Sequence, residues 1–186
     1  MARPLRIVLA TALVALAAGC GSGTGQVTSA ETEGLYLDIN GLKYQIQMSR
    51  YLNTNDVEDR EYLVGLPPGT EEPAADETWF GVWVRVENTS ETETRRAASR
   101  WEIHDTQENV YRPIPLDPEV NPFVFDPVDV PPKTVLPLST SAAGQGPVQG
   151  SLLLFKLKVE SLQNRPLELI FSNGGDSEEG TYHLDV

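Results

Sequence analysis

The chain has 186 residues, with 14 Lys and Arg against 27 Asp and Glu, a formal charge of −13. That balance repels phosphate backbones and excludes nucleic acid as a partner. One cysteine excludes an internal disulfide framework, and 14 prolines count against long helices.

In chain order, Arg3 and Arg6 form a basic start, and Ile7 to Ala18 is an uncharged apolar run. It falls short of the roughly 20 residues that span a bilayer but fits the apolar part of a secretory leader. Leu16-Ala17-Ala18-Gly19-Cys20 closes it and resembles the bacterial lipobox. The resemblance implies cleavage before Cys20 and a diacylglycerol on its sulfur, which anchors the mature chain in the cell membrane on its extracytoplasmic face. One departure is that Leu16 stands one place further from the cysteine than usual, with Ala17 in its slot. Two acyl chains on one sulfur hold where a single chain is marginal. The expected organisation is a signal peptide over 1–19, a lipidated cysteine and flexible tether over 20–33, rich in Gly, Ser and Thr, and one β domain over 34–186. Once the leader is removed, 12 basic residues face 27 acidic ones. The acidity reads as solubility and self-repulsion.

From Gly34 onward apolar residues alternate. Leu35, Leu37 and Ile39 step by two, as do Tyr44, Ile46 and Met48. Phe80, Val82, Val84 and Val86 share one face of a strand, with Trp79, Gly81, Trp83, Arg85 and Glu87 on the other. Trp101 with Ile103, then Leu153 to Val159, Leu167 to Phe171 and Tyr182 to Val186 continue the pattern. Turns are expected at Asn40-Gly41, Asn88-Thr89-Ser90, Glu108-Asn109 and Asn173-Gly174-Gly175. Asn88-Thr89-Ser90 also matches a glycosylation sequon, but its turn reading is preferred. One helical turn is expected at Val57 to Tyr62, and a loop at Pro67 to Glu77. Period two over about seven or eight short runs predicts an all-β antiparallel sandwich of two packed sheets.

Trp79 to Ser90, the pair Trp101–Asp105 and Asn109–Tyr111 with its D-x-x-x-x-x-Y spacing, Ser151 to Phe155, and Arg165 to Leu169 together carry a resemblance. The stretch from Leu42 to Phe171 is similar to extracellular immunoglobulin-like domains of Gram-positive lipoproteins, including secreted mycobacterial immunoprotective-antigen-like domains. The resemblance implies an immunoglobulin-like sandwich and brings no catalytic residues with it. The segment Pro113 to Pro132 departs from that pattern, with six prolines from Pro113 to Pro131 and then Pro132. Proline fixes the backbone, so this loop is expected to hold a defined shape and to cap an open sheet edge.

Chemistry is sparse. His104 and His183 lack the cysteine thiolate that a copper site of the blue type needs. Asp117, Asp126 and Asp129, and separately Asp56, Glu58 and Asp59, cluster without calcium-loop spacing. No G-x-S-x-G elbow is present, and no Gly-rich phosphate loop. No metal, cofactor or catalytic residue is therefore expected. Trp79 and Trp83 lie opposite the core-facing residues of their strand. Either the long loop buries them, with Phe123-Val124-Phe125 as covering material, or Trp79, Trp83, Phe123 and Phe125 form a recognition surface. The expected function is a non-catalytic, lipid-anchored envelope protein that presents an immunoglobulin-like domain to a protein partner or to the envelope. The alternative is an accessory lipoprotein that binds a solute or a divalent cation.

Overall fold

Asn40 and Gly41 both take positive φ, 51° and 73°. Two such residues in succession make the tight turn whose twist matches a hairpin. In this computed structural model, which describes residues 26–186, they join β2 (Tyr36–Ile39) to β3 (Leu42–Leu52). The leader and Cys20 lie outside the described residues. β3 pairs antiparallel with β4 (Glu77–Glu87), and β4 with β10 (Ser151–Lys158), giving one sheet in the order β10-β4-β3-β2. The short β9 (Val135–Leu136) also pairs with β4.

The facing sheet runs β1-β12-β11-β6-β7, from β1 (Ser29–Ala30), β12 (Glu179–His183), β11 (Glu168–Ser172), β6 (Arg100–His104) and β7 (Val110–Tyr111). β5 (Arg95–Arg96) and β8 (Asp129–Val130) form a small separate pair. Seven of these strands have four or more residues, in line with the alternation in the sequence. Here β3, β4 and β10 stand where strands A, B and E of an immunoglobulin-like sandwich stand, and β6, β11 and β12 where C, F and G stand. The protein is an all-β antiparallel sandwich.

Such sandwiches often staple their two sheets with a disulfide beside a tryptophan. This chain uses an aromatic cluster instead. Trp101 stacks on Phe171 with centroids 4.6 Å apart, Phe125 meets Trp101 edge-on at 5.3 Å, and Tyr44 lies 4.7 Å from Phe171. The Tyr182 hydroxyl donates to the carbonyls of Leu35 and Tyr44, at 2.8 and 2.7 Å, tying the two sheets together. Phe80, Val82, Val84 and Val86 fill the same core, as their spacing predicted.

Three expectations need correction. First, the folded body begins before Gly34. Ser29 and Ala30 pair in parallel with Thr181 and Tyr182, and Ala30 is buried. Glu33, expected in the tether, accepts hydrogen bonds from the Ser49 amide and hydroxyl and from the Asp185 amide. The Gly-, Ser- and Thr-rich composition carried no apolar period that would mark this edge strand. Second, Met48 does not share a face with Tyr44 and Ile46. The pairing with β4 shifts register between Ile46 and Met48, a bulge that turns the strand over. Met48 consequently packs on the outer face of its sheet. Third, Val159 ends the regular strand and begins a short 3-10 helix, Val159–Gln163.

The helix α1 (Val57–Tyr62) forms where expected, with the Asp56 side chain accepting from the Glu58 and Asp59 amides. Asn88 is wholly buried and acts as a turn residue: its amide donates to the carbonyls of Glu93 and Val130, both at 2.8 Å. Asp105 organises the turn between β6 and β7, accepting from the Gln107 and Asn109 amides and from the Asn109 and Asn164 side chains. Burial pushes its carboxyl up, but these donors outweigh burial and hold it well below the usual range. Tyr111, the far end of the D-x-x-x-x-x-Y spacing, meets Ser161 at 2.7 Å. That motif is therefore a hairpin clamp.

Candidate functional site

Trp79 and Trp83 point away from the sandwich core, yet both are 1 % exposed. They belong to a second hydrophobic layer with Leu52, Tyr62, Leu116, Leu152 and Leu154. Tyr62 of α1 meets Trp83 edge-on at 5.1 Å, and Phe123 meets Tyr62 at 4.9 Å. The Arg50 guanidinium lies 5.3 Å from the Trp83 ring, and the Lys156 ammonium 5.8 Å from that of Trp79. Arg50 is itself held by Asp59 of α1, at 2.5 Å. Trp79 Nε1 donates to Glu72. The recognition surface considered for Trp79, Trp83, Phe123 and Phe125 is thus not an exposed patch. Phe123 covers the tryptophans, and Phe125 reaches into the inter-sheet core.

The cover comes from the proline-rich segment, in the role expected of it. The Ile114 amide donates to the Leu154 carbonyl at 2.7 Å. The Leu152 amide donates to Phe123, and the Phe125 amide to Leu152, at 2.7 and 2.8 Å. These contacts run along the outer edge of β10 and satisfy it. Asn121 fixes the segment to α1, its buried amide donating to the carbonyls of Tyr62 and Val64 at 3.0 Å.

Where the segment crosses from one sheet to the other, it leaves a cleft of about 480 Å³. The walls are Trp101, Ile114, Val124, Leu153 and several prolines, with Arg100, Glu102, Arg112 and Asp126 at its margin. Its size and its lining, apolar residues and prolines mixed with charged groups, suit a ligand segment. Its floor on the β6 side has a physical cause. The hairpin sets Ile103 opposite Tyr111, so Glu102 follows opposite Arg112 and the next hydrogen-bonding position would set Trp101 against Pro113. Proline has no N–H to donate, and the ladder stops at Tyr111. The outer edge of β6 from Arg100 to Glu102 therefore opens onto the cleft. Beside it, Glu102 accepts from Arg112 at 2.8 Å and lies 3.1 Å from His104 Nε2. The bond with His104, and then Arg112, hold the Glu102 carboxyl below its usual range.

His183 lies between Glu31 and Glu168, at 3.0 and 3.4 Å. Among the described residues, no three of His, Cys, Asp and Glu gather to hold a metal ion, and no helix is long and apolar enough to cross a membrane. Sequence reasoning missed the cleft. The signal for it was Pro113, two residues beyond Tyr111, which can be recognised as a ladder stop only once the hairpin register is known.

No family model matches the chain, and no curated protein matches it. Among solved structures, the chain is similar to the yjhA protein from Bacillus subtilis, with 9 % identity over 83 % of this chain and 99 % of that one, at a TM-score of 0.52. A second similar structure is an uncharacterised β-sandwich protein from Clostridium difficile 630, with 13 % identity over 84 % of this chain and 94 % of that one, at a TM-score of 0.45. At such identities the first likeness speaks to the fold alone.

Proposed function

We propose that this protein is a non-catalytic, lipid-anchored envelope protein. Diacylglycerol on Cys20 holds it on the extracytoplasmic face of the cell membrane, and the sandwich offers its lateral cleft to an extended segment of another envelope protein. The observation that carries this reading is the edge of β6 left unpaired beyond Ile103, over a proline-walled cleft of mixed apolar and charged lining. An incoming strand there gains main-chain hydrogen bonds from β6 and places alternate side chains among the prolines. The prolines already fix the cleft wall, so less freedom is lost on binding.

The placement of the anchor supports the same reading. β1 lies at one edge of its sheet, and β6 with β7 at the other. A partner at the cleft therefore approaches the edge opposite the anchored one. Between Cys20 and Ser29 a fully extended chain reaches at most about 30 Å, which keeps the domain close to the lipid. The two histidines pair with glutamates, and among the described residues neither meets a hydroxyl it could activate. A cation-binding role finds no ligand cluster among those residues.

The test uses a photo-crosslinking side chain at Ser99, exposed at the cleft lip, and at Val57, exposed on α1. The reading expects one discrete protein adduct from the membrane fraction at Ser99 and none at Val57. No adduct at Ser99, or the same adduct at both, contradicts it. Cys20→Ala should release the protein into the medium; retention on the membrane contradicts the anchor.

A further inference from the structure

The neighbour of β4 changes partway along one of its edges. β10 pairs with it from Glu77 to Val84, and β9 takes over at Val86 and Glu87. Arg85 stands at the handover, on the face that carries Trp79 and Trp83. The chain between β9 and β10 arches over this point through the short helix α2 (Ala142–Gln145) and returns at Gly150. Gly150 is required there, because a Cβ would lie 2.8 Å from Trp83 Cβ and 3.0 Å from its carbonyl carbon. Beneath the arch is a pocket of about 560 Å³, where Arg85 and Lys133 meet the hydroxyl residues Ser139 and Thr140 and an apolar wall of Pro137 and Leu138.

Arg85 is half-buried, and its Nε is shut from water with no hydrogen-bond partner. A partly buried charge is normally paired, so its position calls for a counter-charge at the donors that remain open. Arg50, Arg95, Arg96 and Arg112 each hold a carboxylate, and Lys133 holds Glu91. Among the described residues Arg60, Arg85, Arg100 and Arg165 hold none, and of these four Arg85 alone is half-buried while the others are exposed. The net charge of −13 repels polyanions most, so a ligand with a single negative charge suits the Arg85 guanidinium best.

We propose that this pocket, independently of the cleft, binds a small organic monocarboxylate. The two terminal nitrogens of the guanidinium, which unlike Nε are not shut away, take a carboxylate through two parallel N–H···O bonds. The hydroxyls of Ser139 and Thr140 add polar contacts, and the Pro137–Leu138 wall takes a short apolar tail. Inorganic phosphate, smaller and more highly charged, gains nothing from that wall.

The experiment is saturation-transfer NMR on the full chain with sodium butanoate and sodium benzoate, with inorganic phosphate as competitor. The native protein should bind both carboxylates, with phosphate failing to displace them. Arg85→Gln should weaken binding by at least about tenfold, and Arg85→Lys should retain part of it. Thr140→Trp, at an exposed position on the pocket rim, should block binding with Arg85 intact and an unchanged urea midpoint, which keeps the test decisive if Arg85→Gln does not fold. No transfer to either carboxylate, displacement by phosphate, or full binding in Thr140→Trp or a folded Arg85→Gln would overturn the proposal.

Discussion

From Trp79 to Val84 both faces of β4 are buried, but by different means. On the inner face Phe80, Val82, Val84 and Val86 meet a second sheet, where Trp101, Phe171 and Tyr182 come from regularly paired strands. On the outer face Trp79 and Trp83 meet α1 and the proline-rich segment, which are held by a few isolated backbone bonds to β10 and by side-chain clamps rather than by a continuous ladder. The inner layer is built from ladders that cooperate along whole strands. The outer layer depends on local anchors such as Asn121 and the Arg50–Asp59 pair, so it is expected to open first.

This contrast yields graded predictions. The largest effect belongs to the inner layer: Trp101→Ala should cost about 4 kcal/mol, read as a lowered urea midpoint of one cooperative transition. A midpoint within error of the native protein would break the comparison. Asp105→Ala, which leaves the donors of the hairpin clamp unpaired, should cost about 2–3 kcal/mol at neutral pH. Its folded-state carboxyl is held below the unfolded value, so its contribution is present above about pH 4. That contribution is lost as pH falls through the lowered folded value, and urea titrations of native protein and variant should converge in acid.

The outer layer should respond less. Tyr62→Ala should cost about 2 kcal/mol, because a single covering layer collapses more readily than an inter-sheet core. It should also shift tryptophan emission to the red while the far-ultraviolet circular dichroism stays unchanged. The smallest effect concerns the edge strand β1. Burial raises the Glu33 carboxyl above its ordinary value, against the Ser49 hydrogen bonds that lower it. The folded state therefore binds this proton more readily than the unfolded chain, so its contribution weakens as pH rises through the raised value. Amide exchange at Ser29 and Ala30, corrected for intrinsic rates, should be slower at pH 4, below the ordinary glutamate value, than at pH 8.

The inner layer was largely legible in the sequence. Alternation at Phe80 to Val86, the Asn40-Gly41 turn and the Asp56-capped helix are local signals that depend on few neighbours. The outer layer was legible only as an open choice: Trp79 and Trp83 needed a cover, and the residues that could supply it were visible, but a period of two does not say what lies across a loop. The bulge before Met48, the parallel pairing of Ser29–Ala30 and the unpartnered Arg85 depend on register or on contacts distant in sequence. The cleft arises where pairing with β6 ends at Tyr111, two residues before Pro113, a stop that only the register reveals.

The three tryptophans of the chain report directly on the claim that both faces of β4 are sealed from Trp79 to Val84, since Trp79, Trp83 and, across the inner core, Trp101 are 1, 1 and 4 % exposed. Acrylamide quenching of tryptophan emission in the native protein is the measurement. A blue-shifted emission that resists quenching until urea unfolds the chain is the predicted result. Emission at the wavelength of exposed tryptophan, with most of the signal quenched as readily as in the unfolded chain, would contradict the account.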